Sequence, residues 1–284
     1  MKIFAAANDA GGAEVLSEYL LFKRIKFSGV FTGPAHEIFR RKFCENVISS
    51  EVGELRASGE LIVATSANAM TELNQIKIAR QNGITSIALI DGAGNIKNRF
   101  ERGGVITLPD KFIVDSMEAK KEIEECFGAK KIVVGENYYL NKFKKIKNIS
   151  QNIVLYLSDP ISEHGLKYFN DPNYYGFSEY EAVELFLENY EKVIDKDHKI
   201  VIRPHPDETE NKYSYLLTTF SHLQIDIDQK NSLENQISAA TLVIGCSNNA
   251  MIAALMAKKR VISILPSRIN SYGIHHDKFE LIKF

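Results

Sequence analysis

Short runs of β-branched and apolar residues alternate along the whole chain with longer stretches in which apolar residues recur at helical spacing. Runs at 2–7, 29–32, 61–65, 86–90, 111–114 and 131–134 read as strands, and helices are predicted over 13–23, 69–81 and 117–127. A second series opens with a strand at 153–157. It continues through helix 178–194, strand 199–203, helix 212–220, strand 224–227, helix 232–239, strand 242–244, helix 250–257 and strand 261–264. The strands are apolar at consecutive positions rather than at every other one, as in a parallel sheet covered on both faces. Strands alternating with helices predict an α/β fold with doubly wound parallel sheets.

Between the two series the pattern breaks. The stretch GENYYLNKFKKIKNISQ, from Gly135, shows no apolar periodicity and is rich in Lys and Asn. A boundary near Ser150 follows, giving two Rossmann-like domains, 1–145 and 146–284, with a ligand cleft expected between them. The chain of 284 residues is long enough for both to bury a core. Its basic run KFKKIK reads as a solvated linker, with contact to an anionic membrane surface as the alternative. Residues 158–177, SDPISEHGLKYFNDPNYYGF, read as a long loop, functional rather than disordered because of its tyrosines, and mobile together with the linker. After the strand at 261–264 only a short ending, HHDKFELIKF, is expected.

Composition narrows the classes of function. With 45% hydrophobic residues, 25% charged residues and a net charge of −1, the chain presents no global field for nucleic acid. The three cysteines, Cys44, Cys126 and Cys246, are far apart and form no zinc or disulfide pattern, which fits a reducing cytoplasm. No apolar run is long enough to span a bilayer and no signal-peptide pattern opens the chain, so the expected location is the cytoplasm or the inner face of the membrane.

Three polar loops at predicted strand ends carry the candidate chemistry. In TLVIGCSNNAMIAALM a strand runs into a polar turn and an apolar helix, and a Ser or Asn cap with the helix N-terminus makes a site for phosphate from Ser247 and Asn248. In IRPHPDE, Pro204 and Pro206 hold His205 at a strand's carboxyl end, where it can donate to a phosphate or a departing phosphate oxygen. Arg203 either assists there or pairs with Asp207 or Glu208. In LIDGAGN, Asp91 stands at a strand end where it can take a proton from a hydroxyl, and Gly92 and Gly94 leave room for an acceptor; an ordinary Asp-Gly turn explains the same residues. Asp9, in the first loop NDAGG, has the same two readings, and Gly11 and Gly12 let the backbone approach a ligand. The dinucleotide fingerprint G-x-G-x-x-G, the Walker sequence and any metal-ligand spacing are missing, so NAD, a P-loop and a metal centre are not expected.

Asp91-Gly92, His205-Pro206 and Ser247-Asn248, in this order, resemble the acid-Gly, His-Pro and Ser-Ser/Thr motifs of bacterial sialyltransferase-like glycosyltransferases. That family has the two-domain GT-B fold. Also similar are PDKFIVDS from Pro109 and YLSDPISE from Tyr156, which look like stretches of enzymes that transfer nonulosonic or related acidic sugars to surface glycans. The second stretch brings Ser158 and Glu163 into the candidate nucleotide-binding set beside Arg203, His205, Pro206, Ser247 and Asn248. The resemblance implies Asp91 as general base, His205 as partner of the leaving CMP phosphate, and Ser247 as a phosphate ligand. It also implies an acceptor-binding first domain, with Gly11, Gly12 and Gly92 near the acceptor, and a donor-binding second domain. Two positions depart from the pattern: Ile90 stands where the family has a first acid, and Asn248 where it has a second hydroxyl.

The expected activity is inverting transfer of an acidic sugar, a sialic-acid-like nonulosonate or Kdo, from a CMP donor to a glycan or lipid-linked acceptor. Positioning and charge stabilisation suffice for this, without metal or other cofactor. Competing enzymatic readings are a CDP-alcohol polyol-phosphate transferase and a nucleotide-sugar epimerase or hydrolase. A binding protein for nucleotide sugars, its acid lost, is the non-enzymatic alternative, and turnover of the donor separates it from the rest.

Overall fold

A computed structural model describes residues 2–43, 59–65, 70–92, 96–149, 151–194, 198–209, 211–274 and 276–284. The chain forms two compact units, Met1–Asn141 and Lys142–Phe284.

The first unit opens with β1 (Lys2–Ala7), α1 (Ala10–Phe22), β2 (Phe27–Phe31), α2 (Gly33–Lys42), β3 (Gly59–Ala64), α3 (Thr71–Gln81) and β4 (Thr85–Ile90). It goes on through α4 (Ile96–Phe100), a small antiparallel pair β5 (Glu101–Arg102) and β6 (Val105–Ile106), then β7 (Lys111–Val114), α5 (Met117–Phe127), β8 (Ile132–Val134) and α6 (Tyr138–Phe143). Six strands form one parallel sheet in the order β2-β1-β3-β4-β7-β8. Alternation along β1 sends Phe4 and Ala6 into one core and Ile3, Ala5 and Ala7 into the other, so the sheet is buried on both faces. The alanines of β1 have a partner in the small residues of α1. A Cβ on Gly12 would come within 3.1 Å of the Ala64 Cβ, so the helix lies closer to the sheet than a larger residue permits. Residues 10–12 therefore belong to a helix rather than to the expected loop: Asp9 caps it, its carboxylate accepting from the Gly12 amide at 2.6 Å.

The second unit contains β9 (Ile153–Leu157), α7 (Ile161–Phe169), α8 (Glu179–Glu188), α9 (Tyr190–Val193), β10 (Lys199–Arg203), α10 (Leu216–Thr219) and β11 (Ile225–Ile227). After these come α11 (Leu233–Ala239), β12 (Ala240–Gly245), α12 (Asn249–Met256), β13 (Arg260–Leu265) and β14 (Glu280–Lys283). Its six strands are again parallel, in the order β11-β10-β9-β12-β13-β14. The ending read as a short tail supplies that last strand, which pairs Ile262 with Glu280 and Ile264 with Ile282. Residues 158–177 are not one long loop either, since α7 occupies nine of them and buries Ile161 and Gly165. Nor is the linker free: Phe143 is fully buried, Ser238 Oγ donates to the Lys147 carbonyl at 2.6 Å, and Lys142 pairs with Glu234. The single helix expected over 178–194 breaks at Asn189, and α10 is shorter than the predicted 212–220.

Candidate phosphate site and acid cluster

In the second unit β9 and β12 are neighbours, while the chain leaves β9 towards β10 on one side and leaves β12 towards β13 on the other. Such a reversal opens a crevice at the carboxyl ends of the strands, the place where open α/β sheets bind ligands. Three segments meet at these ends: 158–159 after β9, 204–208 after β10 and 246–248 after β12.

The last segment leads into α12. Its cap is Asn248, whose Oδ1 accepts from the Met251 amide at 3.0 Å, and not Ser247. The Ser247 hydroxyl instead donates to the Ile274 carbonyl, beside Gly273, where a Cβ would come within 2.4 Å of the Ser247 carbonyl oxygen. Ser247 thus ties the segment after β13 to the end of β12. Its amide donates to Asp159 Oδ2 at 3.4 Å, and the Asn248 side-chain amide donates to the same carboxylate. Asp159 is 8% exposed, and burial raises its pKa to about 6. At the start of α12 the amides of Asn249 and Ala250 have no intrahelical acceptor, as at any helix N-terminus.

His205 follows β10 in a turn that fixes both its backbone and its tautomer. Its amide donates to Glu208 Oε2 at 2.7 Å, its carbonyl accepts from Gln229 Nε2 at 3.0 Å, and its Nδ1 accepts from the Asp207 amide at 3.1 Å. An imidazole that accepts at Nδ1 carries its proton on Nε2, and burial holds the pKa below the usual 6.5, so His205 presents a neutral Nε2–H donor at pH 7. The His164 ring meets it edge-on at 5.9 Å, with His164 Nε2 lying 3.7 Å from Asp207 Oδ2.

Beneath this turn lies a buried ion cluster. Glu208 Oε1 accepts from Ser158 Oγ at 3.1 Å, from the Tyr213 hydroxyl at 2.6 Å and from Lys212 at 3.0 Å. Lys212, with a side chain 2% exposed, also reaches Glu179 at 2.7 Å and Glu163, and these carboxylates push its pKa up. Ser158 and Glu163, placed in the nucleotide-binding set by their sequence, are therefore held by Glu208, Tyr213 and Lys212. Arg203 does not pair with Asp207 or Glu208 but bonds the Asn231 carbonyl at 2.7 Å and Gln236 Oε1 at 2.6 Å. Pro206 is exposed next to His205.

In the first unit, the loops after β1 and β4 bring acids together around Arg99. Its guanidinium bonds Asp91 Oδ1 at 2.6 Å and the Thr65 carbonyl at 3.1 Å. A Cβ on Gly11 would come within 3.2 Å of Asp91 Oδ2, so this carboxylate lies against the start of α1, which Asp9 caps. Gly12 is buried against its own chain and Gly11 is exposed beside Asp91, whereas Gly92, at φ 147°, would have nothing within 4 Å of a Cβ. Gly94 lies outside the described residues. Glu72, 1% exposed on α3, accepts from the Asn8 amide at 2.9 Å, and burial raises its pKa to about 8. Asp115, after β7, is likewise raised by burial while it accepts from Asn137 at 2.9 Å.

No family model and no curated protein matches this sequence. Solved structures do match. S. aureus MnaA, in a co-structure with UDP, aligns with 92% of this chain and 79% of its own at a TM-score of 0.60 and 12% identity. The Methanocaldococcus jannaschii UDP-GlcNAc 2-epimerase, in complex with UDP-GlcNAc and UDP, aligns with 93% of this chain and 83% of its own at 0.58 and 14%. The corresponding figures for the Neisseria meningitidis UDP-GlcNAc 2-epimerase, bound to UDP-GlcNAc, are 93%, 82%, 0.57 and 12%.

The fold is GT-B.

At such identities the likeness concerns the fold. Within this GT-B chain, the residues that reading the sequence passes over are Asp159 and Lys212 in the second unit and Glu72 and Arg99 in the first, while Glu208, read only as a partner for Arg203, instead holds His205 and Ser158. Asp159 had a signal of its own: an acid followed by Pro at the end of an apolar strand run, in YLSDP. Among the described residues no helix is long and apolar enough to cross a membrane.

Proposed function

We propose that this chain acts on a nucleotide sugar, binding the donor's phosphate in the second unit between His205 and the N-terminus of α12 and breaking the bond from the anomeric carbon to the phosphate oxygen. The observation that carries the reading is the pairing, at one sheet reversal, of a fixed neutral Nε2–H donor with the start of a capped helix. Both meet negative charge as it grows on the departing phosphate, and no metal is required for that task. Tyr175 and Tyr272, 5.2 Å apart edge to face and packed on the cluster around Cys246, offer apolar surface for a base.

The finer proposal is transfer of an acidic sugar from a CMP donor to a glycan or lipid-linked acceptor, with Asp91 as general base. It is supported by the three motifs and their order. A second reading, epimerisation or hydrolysis of a UDP-sugar, is favoured by the structures matched above, two of which are UDP-GlcNAc 2-epimerases. Calorimetric titration with CMP, UDP and their sugars tests the common part. His205→Ala and Asn248→Ala should each weaken nucleotide binding, a charge-assisted contact being worth about 1.5 to 3 kcal/mol. Unchanged affinity in both variants puts the phosphate elsewhere. Incubation with UDP-GlcNAc and, separately, with a CMP-linked acidic sugar, each followed by NMR, then separates the readings: an epimer or free sugar formed from UDP-GlcNAc without an acceptor supports the second, and acceptor-dependent release of CMP from the CMP-sugar supports the first.

A further inference from the structure

Beside the place assigned above to the donor's phosphate stands an anion of the chain itself, bonded to the two residues that precede α12. Asp159 leaves the end of β9 and turns its carboxylate onto the residues that head α12, accepting from the Ser247 amide at 3.4 Å and from the Asn248 side-chain amide. At 8% exposure it has little water. The groups facing it are Tyr156 of β9, His164 of α7, Glu208 after β10, Cys246 after β12 and Tyr272 after β13. Of these only His164 can be cationic, and Glu208 is a second acid. A phosphate arriving at the same helix start would meet a buried carboxylate already there, and two such anions cannot both stay charged in one dry site.

We propose that Asp159 is an internal counter-anion which the donor's phosphate replaces on α12, the carboxylate taking up one proton from solvent as the phosphate binds and then donating that proton in a hydrogen bond to a phosphate oxygen. No covalent bond other than this O–H forms or breaks. The inference rests on the reading of the site in the preceding section. Burial already holds the Asp159 pKa at about 6 before any second anion approaches. Binding is then linked to protons: it strengthens as the pH falls and weakens above the pKa of the free site.

The test is calorimetry of the whole chain with UDP-GlcNAc and with CMP-N-acetylneuraminate, whose phosphates stay fully ionised between pH 6 and 8. Titrations are run in buffers of different ionisation enthalpy. Wild type should take up close to one proton per ligand at pH 7.5, and its affinity should fall about tenfold per pH unit between 7 and 8. Asp159→Asn should bind without proton uptake, with affinity independent of pH over this range and about tenfold or more tighter than wild type at pH 8. Binding by wild type without proton uptake overturns the inference and leaves the phosphate site standing, because the carboxylate has then moved aside still charged. Uptake that persists in Asp159→Asn assigns the proton to another group and overturns it as well. If the variant does not fold, the proton count and pH slope of wild type decide alone. No binding of either ligand at pH 6 removes the phosphate site and this inference together.

Discussion

Glu72 gives a stability experiment whose magnitude follows from the structure. It stands in the first turn of α3, where the helix dipole favours a negative charge, yet it is 1% exposed and burial outweighs the dipole. Its pKa rises from 4.5 to about 8, the Asn8 amide and Arg102 opposing the shift and Asp9 adding to it. The folded chain therefore keeps a proton that the unfolded chain loses near pH 4.5. The stability linked to that proton is fully present below pH 4.5 and is lost as pH rises through about 8. At about 1.4 kcal/mol per pKa unit, the loss between pH 5 and 8 comes to about 3 to 4 kcal/mol. Glu72→Gln keeps an oxygen to accept from Asn8 and removes the titration. The new buried amide carries its own cost of about 1 to 3 kcal/mol, but that cost is the same at every pH. The difference in unfolding free energy, variant minus wild type, should thus climb by about 3 to 4 kcal/mol from pH 5 to 8. Urea unfolding followed by far-ultraviolet circular dichroism at four pH values measures it. Parallel stability curves for the two proteins would refute the reasoning, since Glu72 would then be charged in the fold.

Two further outcomes are expected. Lys212→Met leaves Glu179 and Glu208 buried without their cation, so it should cost about 3 to 5 kcal/mol in urea unfolding at pH 7; an unchanged midpoint contradicts the cluster. If Asp91 is the base proposed above, Asp91→Asn should lower donor turnover about a hundred- to ten-thousand-fold with nucleotide affinity unchanged, circular dichroism confirming the fold because Arg99 loses its charged partner. Asp9→Asn preserves the cap of α1 and should keep both stability and turnover; a loss of turnover in this variant alone moves the base to Asp9.

What could be read in advance from the sequence divides along a physical line. Helix Met117–Phe127 was legible to the residue because its signals are local: Ser116 caps it, an apolar stripe runs along it, and Gly128 ends it in the left-handed region at φ 61°. The strands were legible for the same reason, as runs whose residues favour a sheet buried on both faces, except β14 at the sheet edge and the two-residue pair β5 and β6. Helix α1 was misread at its start because two glycines look like a loop, and only the distant Ala64, against which Gly12 packs, shows why a residue without a side chain belongs in that helix. Helix α7 hid between Pro160 and Asn170 for a similar reason. Gly165 breaks its pattern, but a Cβ there would come within 2.5 Å of the Asp171 carbonyl oxygen, so the chain's return path dictates the residue.

The candidate site shows the same division more sharply. His205 and Asn248 announce themselves through their immediate neighbours, two prolines and a polar turn before an apolar helix. The buried groups around them do not, because their contacts join positions far apart in the chain: Ser158 with Glu208 across 50 residues, Lys212 with Glu163 across 49, Ser247 with Asp159 across 88. What brings these pairs together is strand order. With β9 between β10 and β12, whatever follows each of the three strands must meet at one edge of the sheet, so a Ser-Asp pair, a His-Pro turn and a Ser-Asn cap converge whatever their spacing. An acid at the end of the central strand is then the residue that faces the helix start, and its carboxylate is either that helix's own anion or a competitor for one from outside. This placement, rather than any motif, is what sets Asp159 against the residues that precede α12.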